Sequence, residues 1–188
     1  MIDELAMLGT NRLLFLGLLV VAAPGASLLA VGGLDGVFGG LLALLMIMVA
    51  IGDAKRHIIP NELTAAAVAL ALLRAGIIGV DPYPALWVGC RVVATTMPFV
   101  LLMLGYRHWR GRDGLGFGDI KLAAVAGAWL DWITILAVIE AATLSALGAY
   151  IFISYIRGRR MKATAFLPFG AFLAPAIWIG WLAEALLG

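Results

Sequence analysis

Long apolar runs alternate with short polar breaks along the whole chain. Seven runs lie at about 13–31, 37–51, 62–80, 85–105, 119–130, 132–156 and 165–187. Most are near the length, roughly 20 residues, that lets a helix cross the hydrocarbon of a bilayer. The fifth is too short for that at about 1.5 Å per residue. It is expected to tilt, or to begin inside a cavity where irregular backbone is tolerated. The pattern predicts an all-α, polytopic membrane helical bundle of about six to seven helices. No polar stretch is long enough for a separate soluble domain, so residues 1–188 are expected to form one integral membrane domain.

The breaks carry a second pattern. Those at Gly32-Gly33-Leu34-Asp35-Gly36, Asp81-Pro82-Tyr83-Pro84 and Leu130-Asp131-Trp132 hold no Lys or Arg. The other three hold Lys55, Arg56 and His57, then Arg107, His108, Arg110 and Arg112, then Arg157, Arg159, Arg160 and Lys162. Cytoplasmic loops carry the excess of Lys and Arg. The alternation therefore predicts a multi-pass protein of the cell's inner (plasma) membrane, with a cytoplasmic N-terminus and an external C-terminus. The stretch before the first run contains Asp3 and Glu4, and the run after Arg12 outlasts a signal-peptide core. A retained first helix is expected there rather than a cleaved signal.

Composition agrees with the class. Hydrophobic residues make up 64% of the chain, charged residues 13%, and the mean hydropathy is +1.07. Soluble domains carry about 45–50% apolar and about 25% charged residues, so the surroundings are membrane lipid. The basic residues sit in short breaks rather than along one helical face, which excludes a nucleic-acid stripe. A lone Cys90 excludes an intramolecular disulfide and a thiolate zinc site within these residues. Its apolar neighbours predict a buried, inert thiol.

Two polar segments stand out against this background: Gly52-Asp53-Ala54-Lys55-Arg56-His57-Ile58-Ile59-Pro60-Asn61 and Gly114-Leu115-Gly116-Phe117-Gly118-Asp119-Ile120-Lys121. Each sets one aspartate between basic residues and a long apolar run. Ionisable groups at such borders are expensive in lipid and point to function. Taken singly, each has an ordinary reading, Asp53 as a solvated helix end and Asp119 as a helix N-cap. After Asp53, Pro60 stops one helix and Asn61 is placed to cap the next, so a tight turn is expected to aim Asp53 inward. Before Asp119, the alternating glycines permit unusual backbone angles and close approach of another chain. Together the two acids can hydrolyse a peptide bond. One must be ionised to activate water and one protonated to polarise the carbonyl, and two close carboxylates in a poorly solvated site share a single proton.

Asp53 with Ile59-Pro60-Asn61, and Gly116-Phe117-Gly118-Asp119-Ile120-Lys121-Leu122, resemble the type IV prepilin peptidase family of GxGD membrane aspartyl proteases. The likeness extends to Gly127-Ala128-Trp129-Leu130 and to Leu167-Pro168-Phe169-Gly170-Ala171-Phe172-Leu173. It implies that Asp53 and Asp119 are the catalytic pair; the residues themselves suggest a substrate-approach loop with Gly116, Gly118 and Lys121 and a supporting turn at Pro60 and Asn61. It further implies cleavage after a glycine in the leader of type IV prepilins or pseudopilins, at the cytoplasmic face; no metal site and no cofactor are expected. Bifunctional members also methylate the new N-terminal amine and carry an N-terminal domain with paired CxxC motifs. The stretch before the first run here is about a dozen residues with no cysteine, so methyltransferase activity is not expected.

The remaining polar positions have quieter readings. A solvated cytoplasmic role is preferred for Lys121, His57 and His108. Arg74, Arg91 and Glu140 sit at similar depth near the external ends, which suggests an ion pair or triad or arginines snorkelling to the interface. The competing class is an ion- or proton-coupled small transporter, or a membrane-assembly scaffold, with two membrane-edge acids. Transporters show repeats with broken helices near the midplane; here no repeat is evident and the acids lie toward one face.

Overall fold

The computed structural model describes residues 17–79, 83–111, 116–156 and 168–187. They form seven helices and no strand: α1 Gly17–Ala30, α2 Gly33–Arg56, α3 Asn61–Ile78, α4 Pro84–Arg110, α5 Phe117–Trp129, α6 Trp132–Ile156 and α7 Gly170–Leu187. The expected all-α polytopic bundle is therefore what the chain forms. Five helices, α2, α3, α4, α6 and α7, are long and apolar enough to cross a membrane. Arg112, Gly114, Leu115, Asp81, Pro82, Leu167 and the basic residues at 157–162 lie outside the described residues.

The helix ends differ from the apolar runs in an instructive way. α2 does not stop near residue 51 but continues through Asp53, Lys55 and Arg56, ending at His57 in the left-handed region (φ 54). α4 likewise runs on through Arg107, His108 and Arg110 to a left-handed Gly111 (φ 63). Both final turns place cations beside the negative end of the helix dipole, so leaving the apolar zone does not end the helix. The α3 boundary corrects the capping expectation: Pro60 occupies the N-cap position with no side-chain bond, and Asn61 is the first helical residue. The Thr64 hydroxyl turns back instead, donating to the Asn61 carbonyl at 3.1 Å.

The short α5 is the centre of the molecule. It packs against α3, α4 and α7, while α2 lies along α7 and α6 along α7. Leu122, Ala123, Val125, Ala126 and Leu130 are wholly buried. Because its neighbours enclose it, α5 has no need to span lipid by itself. The Trp129 indole donates to the Ala67 carbonyl of α3 at 2.9 Å, and its ring meets Trp181 of α7 edge-on, centroids 6.2 Å apart. α1 is held from the other side, where Trp178 of α7 donates to the Ser27 hydroxyl at 3.0 Å.

The outside of the bundle is apolar. Ile133 is 84% exposed and Leu136 71%, more apolar surface than a water-facing protein tolerates in one patch. Exposed aromatics mark the two ends: Tyr83, Trp87 and Trp132 at one, Tyr106, Trp109 and Tyr155 at the other, as at membrane interfaces. Cys90 faces outward on α4. The expected burial of its thiol is corrected, because α4 offers little of its surface to the core.

At the end bearing Trp87 and Trp132, the two arginines do find carboxylates, but not Glu140. Arg74 makes a two-point contact with Asp35 and also stands over the Trp129 ring, 5.8 Å from its centroid. Arg91 bonds Asp131 at 2.8 Å. Glu140 lies on the exposed face of α6. The triad is corrected to two separate pairs, each reaching an acid in a short break.

Candidate active site

At the opposite end, four elements converge. The last turn of α2 carries Asp53, only 6% exposed although it lies beside exposed Lys55 and Arg56. The turn at 57–60 folds back and buries Ile59, which fills the space between α5 and α7. A Cβ on Gly118 would stand 2.8 Å from the Ile59 Cδ1, and one on Gly170 would meet the same atom at 2.7 Å. Any side chain at either position would have to displace Ile59. The described glycines of this loop, Gly116 and Gly118, have no positive φ, which corrects the expectation of unusual backbone angles there. Close approach, the other half of that expectation, is what the geometry shows.

Asp119 stands in the first turn of α5, three residues past the N-cap Gly116, and is not itself the cap. It is half-buried. Its carboxyl is pushed up to about 6, first by removal from water, then by the nearby charge of Asp53, with the Gly116 backbone opposing. Asp53 therefore lies near enough for its charge to be felt at Asp119.

The first turn of α7 completes the surroundings. The Ala171 amide donates to the Asp53 Oδ2 at 2.9 Å, so a carboxylate sits where helix amides and dipole favour negative charge. A Cβ on Gly170 would be 2.9 Å from that same oxygen. This backbone donor was missed in the sequence; the only signal was the glycine in Pro168-Phe169-Gly170-Ala171. Lys121 is half-buried and bonded to the turn. Its ammonium donates to the Ile59 carbonyl at 3.2 Å and lies 5.3 Å from the Phe117 ring centroid. Pro60 and Asn61 begin α3 on the other side of Ile59. His57 and His108 are exposed. Among the described residues no group of three or more His, Cys, Asp or Glu could hold a metal ion.

A polytopic helical membrane protein with two acids gathered at one end of the bundle is thus defined. Residues 40–153 match the type IV leader peptidase family, and the chain belongs to that family. The matched span contains both Asp53 and Asp119 and ends within α6. Leader peptidase HopD of Escherichia coli is 34% identical over 143 residues, covering 75% of this chain and 90% of the relative. Leader peptidase HopD of Salmonella typhimurium is 33% identical over 137 residues, covering 72% and 86%. The prepilin leader peptidase/N-methyltransferase of Aeromonas hydrophila is 32% identical over 152 residues; 77% of this chain matches, but only 50% of that relative. No solved structure matches the chain. Membership makes the chain an endopeptidase of the aspartic type and sets the transporter and scaffold readings aside.

Proposed function

We propose that Asp53 and Asp119 are the catalytic pair of a peptidase that removes the leader of type IV prepilins or pseudopilins. Cleavage occurs at the cytoplasmic face of the inner membrane, in a multi-pass protein with a cytoplasmic N-terminus. The observation that carries this reading is the convergence at one end of the bundle of Asp53, held by the Ala171 amide, and the first turn of α5 bearing Asp119, whose Gly118 packs on the same Ile59 as Gly170. Two close carboxyl groups in a poorly solvated site can share one proton.

The surroundings of each acid suggest the division of labour. Asp119 takes up a proton more readily than an ordinary carboxyl, while Asp53 accepts the Ala171 amide, which suits a carboxylate. Asp53 takes a proton from water as the hydroxyl oxygen attacks the scissile carbonyl carbon. Asp119 gives its proton to the carbonyl oxygen, forming a gem-diol. Asp53 then protonates the leaving nitrogen, the C–N bond breaks, and Asp119 recovers a proton from the gem-diol. The pair ends with the single proton it began with, and no cofactor is consumed. Peptide cleavage without methyl transfer is the expected outcome.

The test is purified protein in detergent, offered a prepilin-like peptide and a variant with a bulky residue replacing the glycine before the scissile bond. Cleavage of the first alone is expected, and mass spectrometry should find the new amine unmethylated with excess S-adenosylmethionine present. Equal cleavage of both peptides contradicts the leader specificity; a gain of one methyl group contradicts the single activity.

A further inference from the structure

The turn between α2 and α3 follows the first acid closely, and one of its residues touches the surroundings of both acids. α2 ends at His57 in the left-handed region (φ 54); Ile58 is then exposed and Ile59 buried. The chain folds back on α2, so that a Cβ on Gly52, the residue before Asp53, would stand 3.4 Å from the Ile58 carbonyl oxygen. On its other side, the Ile59 Cδ1 is the nearest atom to a Cβ on Gly118, at 2.8 Å, and to one on Gly170, at 2.7 Å. Gly118 directly precedes Asp119 on α5. Gly170 begins α7, and its Cβ would also stand 2.9 Å from the Asp53 Oδ2, the oxygen that accepts the Ala171 amide. One methyl group thus lies between the residue before Asp119 and the residue that borders Asp53.

The backbone of Ile59 is held as well. The Lys121 ammonium, just past the first turn of α5, donates to the Ile59 carbonyl at 3.2 Å and lies 5.3 Å from the Phe117 ring centroid. Phe117 and Lys121 are four residues apart, so they meet on one side of α5. Neither ion pair among the described residues includes Lys121. A half-buried ammonium bonded to a neutral carbonyl, and paired with neither acid, ties backbone rather than balancing charge. Two carboxyl groups that divide the work on one water and one scissile bond need a defined separation, and a displacement of about 1 Å costs on the order of 10²-fold in rate. Resting on the reading of Asp53 and Asp119 as the catalytic pair, we infer that Ile59 and Lys121 are positioning residues: the Ile59 side chain spaces the starts of α5 and α7, the Lys121 ammonium latches the turn to α5, and together they set the separation of the two carboxyls.

Three single variants of the full-length protein test this in detergent with the prepilin-like peptide. Lys121→Met keeps length and removes the donor, Lys121→Arg keeps a donor, and Ile59→Val removes only the Cδ1 methyl. Lys121→Met and Ile59→Val should each lower kcat about tenfold or more with KM little changed, while Lys121→Arg keeps most of the wild-type kcat. Both losses act through one turn, so the double variant should be little worse than the worse single. Carbon-13 shifts of Asp119 without substrate give a readout independent of turnover. With the turn loosened, the acids part and water enters, so the Asp119 titration moves to lower pH in both variants. Mere loss of a cation would move it to higher pH in Lys121→Met, and that result overturns the inference. So does a raised KM at constant kcat, the mark of a substrate contact, or losses that multiply in the double. If Lys121→Met does not insert, Ile59→Val decides alone: a titration left in place overturns the inference. Failure of the catalytic reading shows separately, as turnover by Asp53→Asn, whatever the Lys121 and Ile59 variants do.

Discussion

A carboxyl at the start of a buried helix is ordinarily ionised at neutral pH; Asp119 is pushed up to about 6. Burial disfavours the charge, and Asp53 disfavours it further. The sign of the consequence follows directly. Asp119 holds its proton below about pH 6 and loses it as pH rises through that value, so the one-proton form of the pair disappears on the alkaline side. We expect kcat/KM to fall with a limb centred near pH 6, approaching tenfold per pH unit beyond it. Carbon-13 chemical shifts of Asp119 should show its titration moving to lower pH in Asp53→Asn, because the repelling charge is gone. A rate that is flat from about pH 5 to pH 8 would contradict the assignment of the acid. At this scale the sequence was generous with side chains and silent on backbone. Asp53 and Asp119 stood out because each is an acid at the edge of an apolar run. The Ala171 amide is a group that every non-proline residue possesses, and only folding reveals that it faces the Asp53 carboxylate.

At the scale of elements, the fit between α5, α7 and the 57–60 turn depends on glycines that admit Ile59. Gly118→Val would drive its branched side chain into Ile59, already 2.8 Å from a bare Cβ. Overpacking of this kind costs about 1–3 kcal/mol. We expect leader cleavage to fall at least tenfold while membrane insertion and helical content persist, and Ile59→Ala to restore part of it in the double variant. No recovery would mean that Gly118 is needed for something other than room for Ile59. Element boundaries were less legible than element existence. Hydropathy finds where a helix leaves the oily zone, but α2 and α4 continue through charged turns to His57 and Gly111 because backbone bonding and the dipole favour it. The pairs Arg74–Asp35 and Arg91–Asp131 were hidden for another reason. Each joins residues about forty positions apart, and the helix packing that aligns them is not written in local spacing.

Across the whole molecule, polarity is sorted by end. The acids of the candidate site, Lys55, Arg56 and Lys121 share one end, and the Arg74–Asp35 and Arg91–Asp131 pairs share the other. Loop charge predicts that the first end is cytoplasmic. Single cysteines in a Cys90→Ser background, placed at Arg110 and at Asp35, report this with a membrane-impermeant maleimide on intact cells. Labelling at Asp35 without labelling at Arg110 is expected, and the reverse would invert the protein in the membrane and move the site to the wrong face.

Turnover by three variants, Asp53→Asn, Asp119→Asn and the double, bears most directly on the catalytic pair. Each replacement keeps shape and removes one acid from a unit that works only as a pair. Residues acting as a unit are strongly non-additive. Each single variant should therefore lose at least about 10³-fold in leader cleavage, the double should be little worse than either, and all three should insert and remain helical. Substantial cleavage by Asp53→Asn or Asp119→Asn, or losses that multiply in the double variant, would show that the two aspartates do not act together.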